Sequence, residues 1–204
     1  MKAWIAICGG LAAGAAAVAW TAGLASPIQD LAGYPLAWDA VRWPREPWTL
    51  WTSAWVHTSA GGLGGNLLAL AALAVSGAAL GAGRVAALSL LLAWPLATLS
   101  LLLWPQVGSY AGLGGPIHAA AAVLGVHVAR RTAFRPLAGL LFGAIALKLL
   151  AERSWAQPVA FDPSWGVNVV YAANLAGTLA GAACAVLLGE LLDPPAGSAK
   201  DAAS

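Results

Sequence analysis

The sequence predicts an all-α, polytopic membrane protein, a bundle of six transmembrane helices with a tryptophan-rich interfacial loop after the first. Three observations predict it. Lys+Arg number 10 and Asp+Glu 8 in 204 residues, so 9% is charged, where soluble domains hold about 25%. Hydrophobic residues make up 60% and mean hydropathy is +0.77, more apolar surface than a soluble domain of this length buries while keeping a solvated exterior. Apolar runs near the length of a bilayer crossing also recur along the chain, each closed by turn residues. This composition excludes a cytosolic enzyme and a disordered chain. The net charge of +2 is too small for a nucleic-acid-tracking surface.

The runs are 4–25, 63–82, 85–104, 112–129, 136–151 and 166–189. The first follows Lys2 and spans about 22 residues, longer than the roughly 7–15 of a signal-peptide core, so it reads as a retained span. The connection from 26 to 62 carries Trp38, Trp43, Trp48, Trp51 and Trp55. Tryptophan favours the headgroup layer, which places this segment along the membrane interface. Gly81-Ala82-Gly83-Arg84 closes the second run and Trp104-Pro105-Gln106 the third. The stretch from Arg130 to Pro136 separates the fourth from the fifth. The membrane domain is thus 1–190, followed by a short tail, 191–204. Cys8 and Cys184 lie in apolar runs and read as small buried hydrophobes. Neither cysteine nor histidine spacing suggests a metal, and no cofactor is expected.

Basic residues orient the bundle. With the N-terminus cytoplasmic, six fall on inside segments (Lys2, Arg84, Arg130, Arg131, Arg135, Lys200) and three outside (Arg42, Arg45, Arg153). Both termini are therefore expected in the cytoplasm. Lys148 alone intrudes into a run.

Polar side chains within the bilayer are costly unless paired, so each is a functional candidate. His57 opens a glycine-rich stretch that leads to Asn66 in the second run. The fourth run begins Gly112-Leu113-Gly114-Gly115-Pro116-Ile117-His118. The sixth holds Asn174, then Gly177 and Gly181, whose spacing bares one helical face for a neighbouring backbone. Each polar residue also has a structural reading. His57 would anchor its loop, Asn66 and Asn174 would act as interhelical hydrogen-bond glue, and His118 would be a satisfied core histidine. His127 reads as interfacial.

Taken together these three stretches resemble the rhomboid intramembrane serine proteases. In that family a His of the second span is followed nine residues later by an Asn, as His57 is by Asn66. The fourth span begins Gly-x-Ser-Gly with the nucleophile; here it reads Gly112-Leu113-Gly114-Gly115. The sixth carries Ala-His-x-x-Gly-x-x-x-Gly with the base; here Ala173-Asn174 precede Gly177 and Gly181. The resemblance covers about 45–190, and the tryptophan-rich segment falls where the family has its membrane-embedded first loop. His118 and the Lys148…Glu152 pair are similar to the rhombosortase branch, compact bacterial inner-membrane members that process C-terminal Gly-Gly sorting tails of exported proteins. The Lys–Glu spacing of i, i+4 allows an ion pair across one helical turn.

The departures fall on the chemistry. The nucleophile position, Gly114, has no side chain. The base position, Asn174, has no basic nitrogen. The family's additional oxyanion His is Gly62 here, which leaves Asn66 as the remaining oxyanion-type donor. The resemblance therefore implies a pseudoprotease embedded in the lipid bilayer, with the transmembrane or C-terminal tails of exported proteins as partners and no nucleic acid. One alternative is an active Gly-Gly peptidase using non-standard groups such as Ser109, Thr178 or His118. Another is a small transport or assembly subunit with Asn66, Asn174 and His118 lining a polar path.

Overall fold

The computed structural model describes residues 1–22, 31, 33–163 and 166–192. Its long helices are α1 (Lys2–Ala22), α2 (Ala60–Ala79), α3 (Arg84–Leu99), α4 (Gly114–Ala129), α5 (Arg135–Glu152) and α6 (Tyr171–Leu192). A 3-10 turn, Ser100–Leu103, extends α3. Two short antiparallel ribbons join them. In one, β1 (Trp38–Asp39) pairs with β2 (Ser109–Tyr110); in the other, β3 (Ala160–Asp162) pairs with β4 (Val167–Val169).

Among the described residues five helices are long and apolar enough to cross a membrane: α1, α2, α3 with its extension, α5 with the turn before it, and α6. The sixth expected span, α4, is shorter. Its 16 residues reach about 24 Å at 1.5 Å per residue, less than the hydrocarbon thickness of about 30 Å. Burial explains why it needs no full crossing length. Pro116, Ala119, Ala120, Val123, Leu124 and Val128 are all buried among neighbouring helices, so α4 forms the axis of the bundle.

Small residues set its position. A Cβ on Gly177 would overlap the Gly115 carbonyl oxygen, and one on Gly181 would overlap that of Ala119. The bare face of α6 therefore lies directly against the α4 backbone. A large side chain fills the contact between α1 and α2. Trp4 on α1 donates from Nε1 to the Leu73 carbonyl at 3.1 Å and occupies the space left open by Gly77.

The sequence reading of the sixth run is corrected at its start. Residues 166–170 are not helical; Val167–Val169 forms β4, with Phe161 opposite Asn168. The tryptophan-rich segment also divides. Trp38 is fully buried, and Trp55 packs edge-on against Trp94 with centroids 5.9 Å apart. Trp48 and Trp51 are exposed. The expected end of the first run at 25, Lys200 and the tail from 193 onward lie outside the described residues.

Candidate functional site

Local chain chemistry builds one end of the site at the start of α2. Ser59 is its N-cap, with Oγ accepting the Gly62 N–H at 3.0 Å. That cap fixes the loop carrying His57. The His57 Nδ1 lies 3.3 Å from the Trp55 carbonyl, which can only accept, so the proton is assigned to Nδ1. Nε2 then accepts from the Asn66 Nδ2 at 3.1 Å. Burial pushes the His57 imidazole below its ordinary value, against a smaller raising effect of the Trp55 carbonyl. The ring is thereby held neutral, and one Asn66 N–H is spent on it.

The start of α4 is held by Tyr110 and Gly112. Gly112 has φ +121, a conformation open to glycine, and its N–H donates to the Ser53 carbonyl at 2.9 Å. The Tyr110 hydroxyl donates to the Gly112 carbonyl at 2.7 Å and accepts the Gly115 N–H at 3.1 Å. Burial pushes this phenol far above its ordinary value, so it stays a neutral donor. Two backbone groups at the head of α4 thus have a fixed side-chain partner.

Gly114 and Asn174 face each other. A Cβ added to Gly114 would stand 2.7 Å from Asn174 Oδ1. The close packing of α4 on α6 at Gly177 brings this about, because Asn174 is three residues earlier on the same face. Asn174 is 5% exposed. Its Nδ2 donates to Glu152 Oε2 at 3.0 Å, while Lys148 Nζ pairs with Glu152 Oε1 at 2.6 Å. Ser154 Oγ adds a third donor to that carboxylate at 3.2 Å.

A cleft of ≈ 220 Å³ runs past these groups. His57, Gly62, Asn66, Gly114 and Asn174 all line it. His118 does not; it is buried one turn along α4, where its Nδ1 bonds the Gly114 carbonyl at 2.8 Å. Ser109 and Thr178 are also off the lining. Ser109 sits in β2, and Thr178 donates to the Asn174 carbonyl at 2.9 Å. The β3–β4 ribbon supplies the far wall with Asp162 and residues 167–169, and Tyr171 donates to Asp162 at 3.1 Å.

Three contributors escaped the sequence reading. Tyr110 had no signal, since its role depends on a five-residue loop closing on itself. The Lys148–Glu152 spacing was visible, but the bond from Asn174 to Glu152 joins residues 22 apart. The β3–β4 ribbon did leave a signal. Asp162-Pro163 and Gly166, which has φ +66, mark a turn, and Val167-Asn168-Val169 alternates with the period of a strand.

A family model of the rhomboid domain matches residues 44–191, well over half the chain and inclusive of every residue on the cleft. No curated protein and no solved structure matches it.

Proposed function

The chain belongs to the rhomboid family, and we propose that it acts there as a pseudoprotease of the rhombosortase type, binding the membrane-spanning tails of exported proteins without cutting them. The facing pair of Gly114 and Asn174 carries this reading. Serine-type hydrolysis needs a hydroxyl to attack and a base within reach of its proton. The first of these positions has no side chain, and the second has an amide already bonded to Glu152. Loss of both reacting groups removes the mechanism, whereas loss of one could be offset by a neighbour.

The recognition half of the site supports a binding role. The cleft remains open beside Gly114, with polar groups of α2 and α6 on one side and the β3–β4 ribbon on the other. Its glycines, Gly62, Gly65, Gly112 and Gly114, let a client backbone approach closely. The resemblance of His118 and the Lys148–Glu152 pair to the rhombosortase branch favours a Gly-Gly tail as the client. In this reading the chain lies in a bacterial inner membrane with both termini cytoplasmic, in keeping with six basic residues against three. The cleft, at the N-terminal ends of α4 and α6, then faces the side to which clients are exported.

Two measurements on purified protein test the proposal. A serine-directed fluorophosphonate is expected to label no residue. A single-span client with a Gly-Gly tail and a photo-crosslinker is expected to be captured at full length. Labelling, or release of a shortened client, would overturn the loss of activity. Failure to capture the client would remove the binding role.

A further inference from the structure

At the end of the bundle away from the cleft, a second cavity of ≈ 310 Å³ opens between the Gly81–Gly83 turn, the start of α3, and the ends of α4 and α6. That volume lies at the lower bound for small-ligand pockets, about 300–1,000 Å³. Its lining divides by chemistry. Ala86, Val123 and Ala185 give buried apolar wall, while Arg84 and Arg131 are exposed. The Arg84 side chain makes no hydrogen bond or ion pair among the described residues. Arg131 donates from Nη1 to the Leu80 carbonyl at 2.8 Å, which leaves most of its five N–H donors available.

Arg130 adds charge but is otherwise engaged, bonding the Gly189 carbonyl at 3.0 Å and pairing with Glu190 at 3.5 Å. The cavity thus has three arginines near one carboxylate. Gly83, the N-cap of α3, has no side chain to satisfy the first N–H groups of that helix, so the backbone adds partial positive charge there.

We propose that this cavity binds the phosphate of an anionic phospholipid headgroup, with Arg84 and Arg131 on the phosphate oxygens and the glycerol end against the apolar wall. Guanidinium forks match phosphate geometry, and basic pockets between membrane helices recognise such headgroups. The apolar wall favours a lipid over a free anion, which would leave it unused. The proposal is independent of what occupies the cleft.

Native mass spectrometry of the full chain released from nanodiscs, paired with thermal unfolding in defined lipid, tests it. Phosphatidylglycerol is expected to stay bound and raise the melting temperature more than phosphatidylcholine does. Arg84→Gln and Arg131→Gln are each expected to weaken phosphatidylglycerol binding about fivefold. Arg153→Gln, remote from this cavity, should leave it unchanged and reports any general effect of charge. Equal retention of the two lipids, or unaltered binding in the Arg84/Arg131 double variant, would overturn the proposal. An equal shift by inorganic phosphate alone would overturn the lipid assignment in favour of a free anion.

Discussion

The Asn174 amide donates to the Glu152 carboxylate at 3.0 Å, and its oxygen points at the space above Gly114. A carboxylate, a polar side chain and a glycine without a side chain therefore stand in line. The amide cannot relay a proton, so the array serves as a link between α5 and α6.

That link has a measurable strength. Asn174→Ala and Glu152→Ala are each expected to destabilise the bundle, and a double-mutant cycle should give a coupling of about 0.6 kcal/mol, the average for interhelical hydrogen bonds in membranes, and no more than about 1.7. Unfolding in mixed detergent measures it. A coupling near zero would mean that the bond contributes nothing.

Placing a hydroxyl at Gly114 and an imidazole at Asn174 tests the proposed loss of activity directly. Gly114→Ser alone places a Cβ against Asn174 and supplies no base, so it is expected to remain unlabelled by a fluorophosphonate. Gly114→Ser with Asn174→His is expected to be labelled, because an imidazole there can face the hydroxyl while Glu152 takes its other N–H. In-gel fluorescence of the parent, the Gly114→Ser variant and the double variant decides the matter. The further change Gly62→His would crowd the Ser59 hydroxyl, 2.9 Å from a Cβ at that position, and is expected to lower stability.

Glycines at the close helix contact and glycines facing open space should behave oppositely. Gly177→Ala and Gly181→Ala each drive a methyl into the α4 backbone and should destabilise by about 1–3 kcal/mol. Gly9→Ala and Gly139→Ala meet nothing within 4 Å. Both sit within helices, so they should be neutral or stabilising by up to about 1 kcal/mol. Thermal unfolding of the four variants checks the contrast.

Acid should weaken the loop that carries His57. Its pKa is lowered in the folded state from 6.5, so the unfolded chain binds the proton more readily. The resulting stability is present above the unfolded value and is lost as pH falls below it. Between about pH 8 and pH 5, the span over which an ordinary imidazole titrates, the parent should lose more thermal stability than His57→Gln. Parallel curves for the two proteins would remove His57 as the source.

Replacing Tyr110 by Phe removes the partner of two buried backbone groups, the Gly115 N–H and the Gly112 carbonyl. A cost of about 1–3 kcal/mol is expected, with faster hydrogen exchange at Gly115. Unchanged exchange would show that the loop is held by other contacts.

How much of this was legible in the sequence depends on the reach of each interaction. Hydropathy runs placed the long helices to within a few residues, because a helix crossing lipid must satisfy its backbone locally. Gly177 and Gly181 were readable as a bare face, since their spacing follows from one helical turn. Residues 166–170 are not helical as the apolar run predicts, because apolar composition alone does not distinguish a short strand from the start of a helix. His118 stands in the sequence beside Asn66 and Asn174 as a candidate for a polar path, yet its place one turn along a buried helix keeps it off the cleft lining.

By itself, the sequence determined the membrane class, the order of the helices and the absence of a hydroxyl at Gly114 and of a basic group at Asn174, all properties of composition and local spacing. Only the tertiary structure decided that these two positions face each other, that Asn174 is tied to Glu152 and that Tyr110 holds the head of α4. Those contacts join helices and loops that meet in space through the close approach of α4 and α6. No local rule ranks one such long-range pairing over another until the backbone is in place.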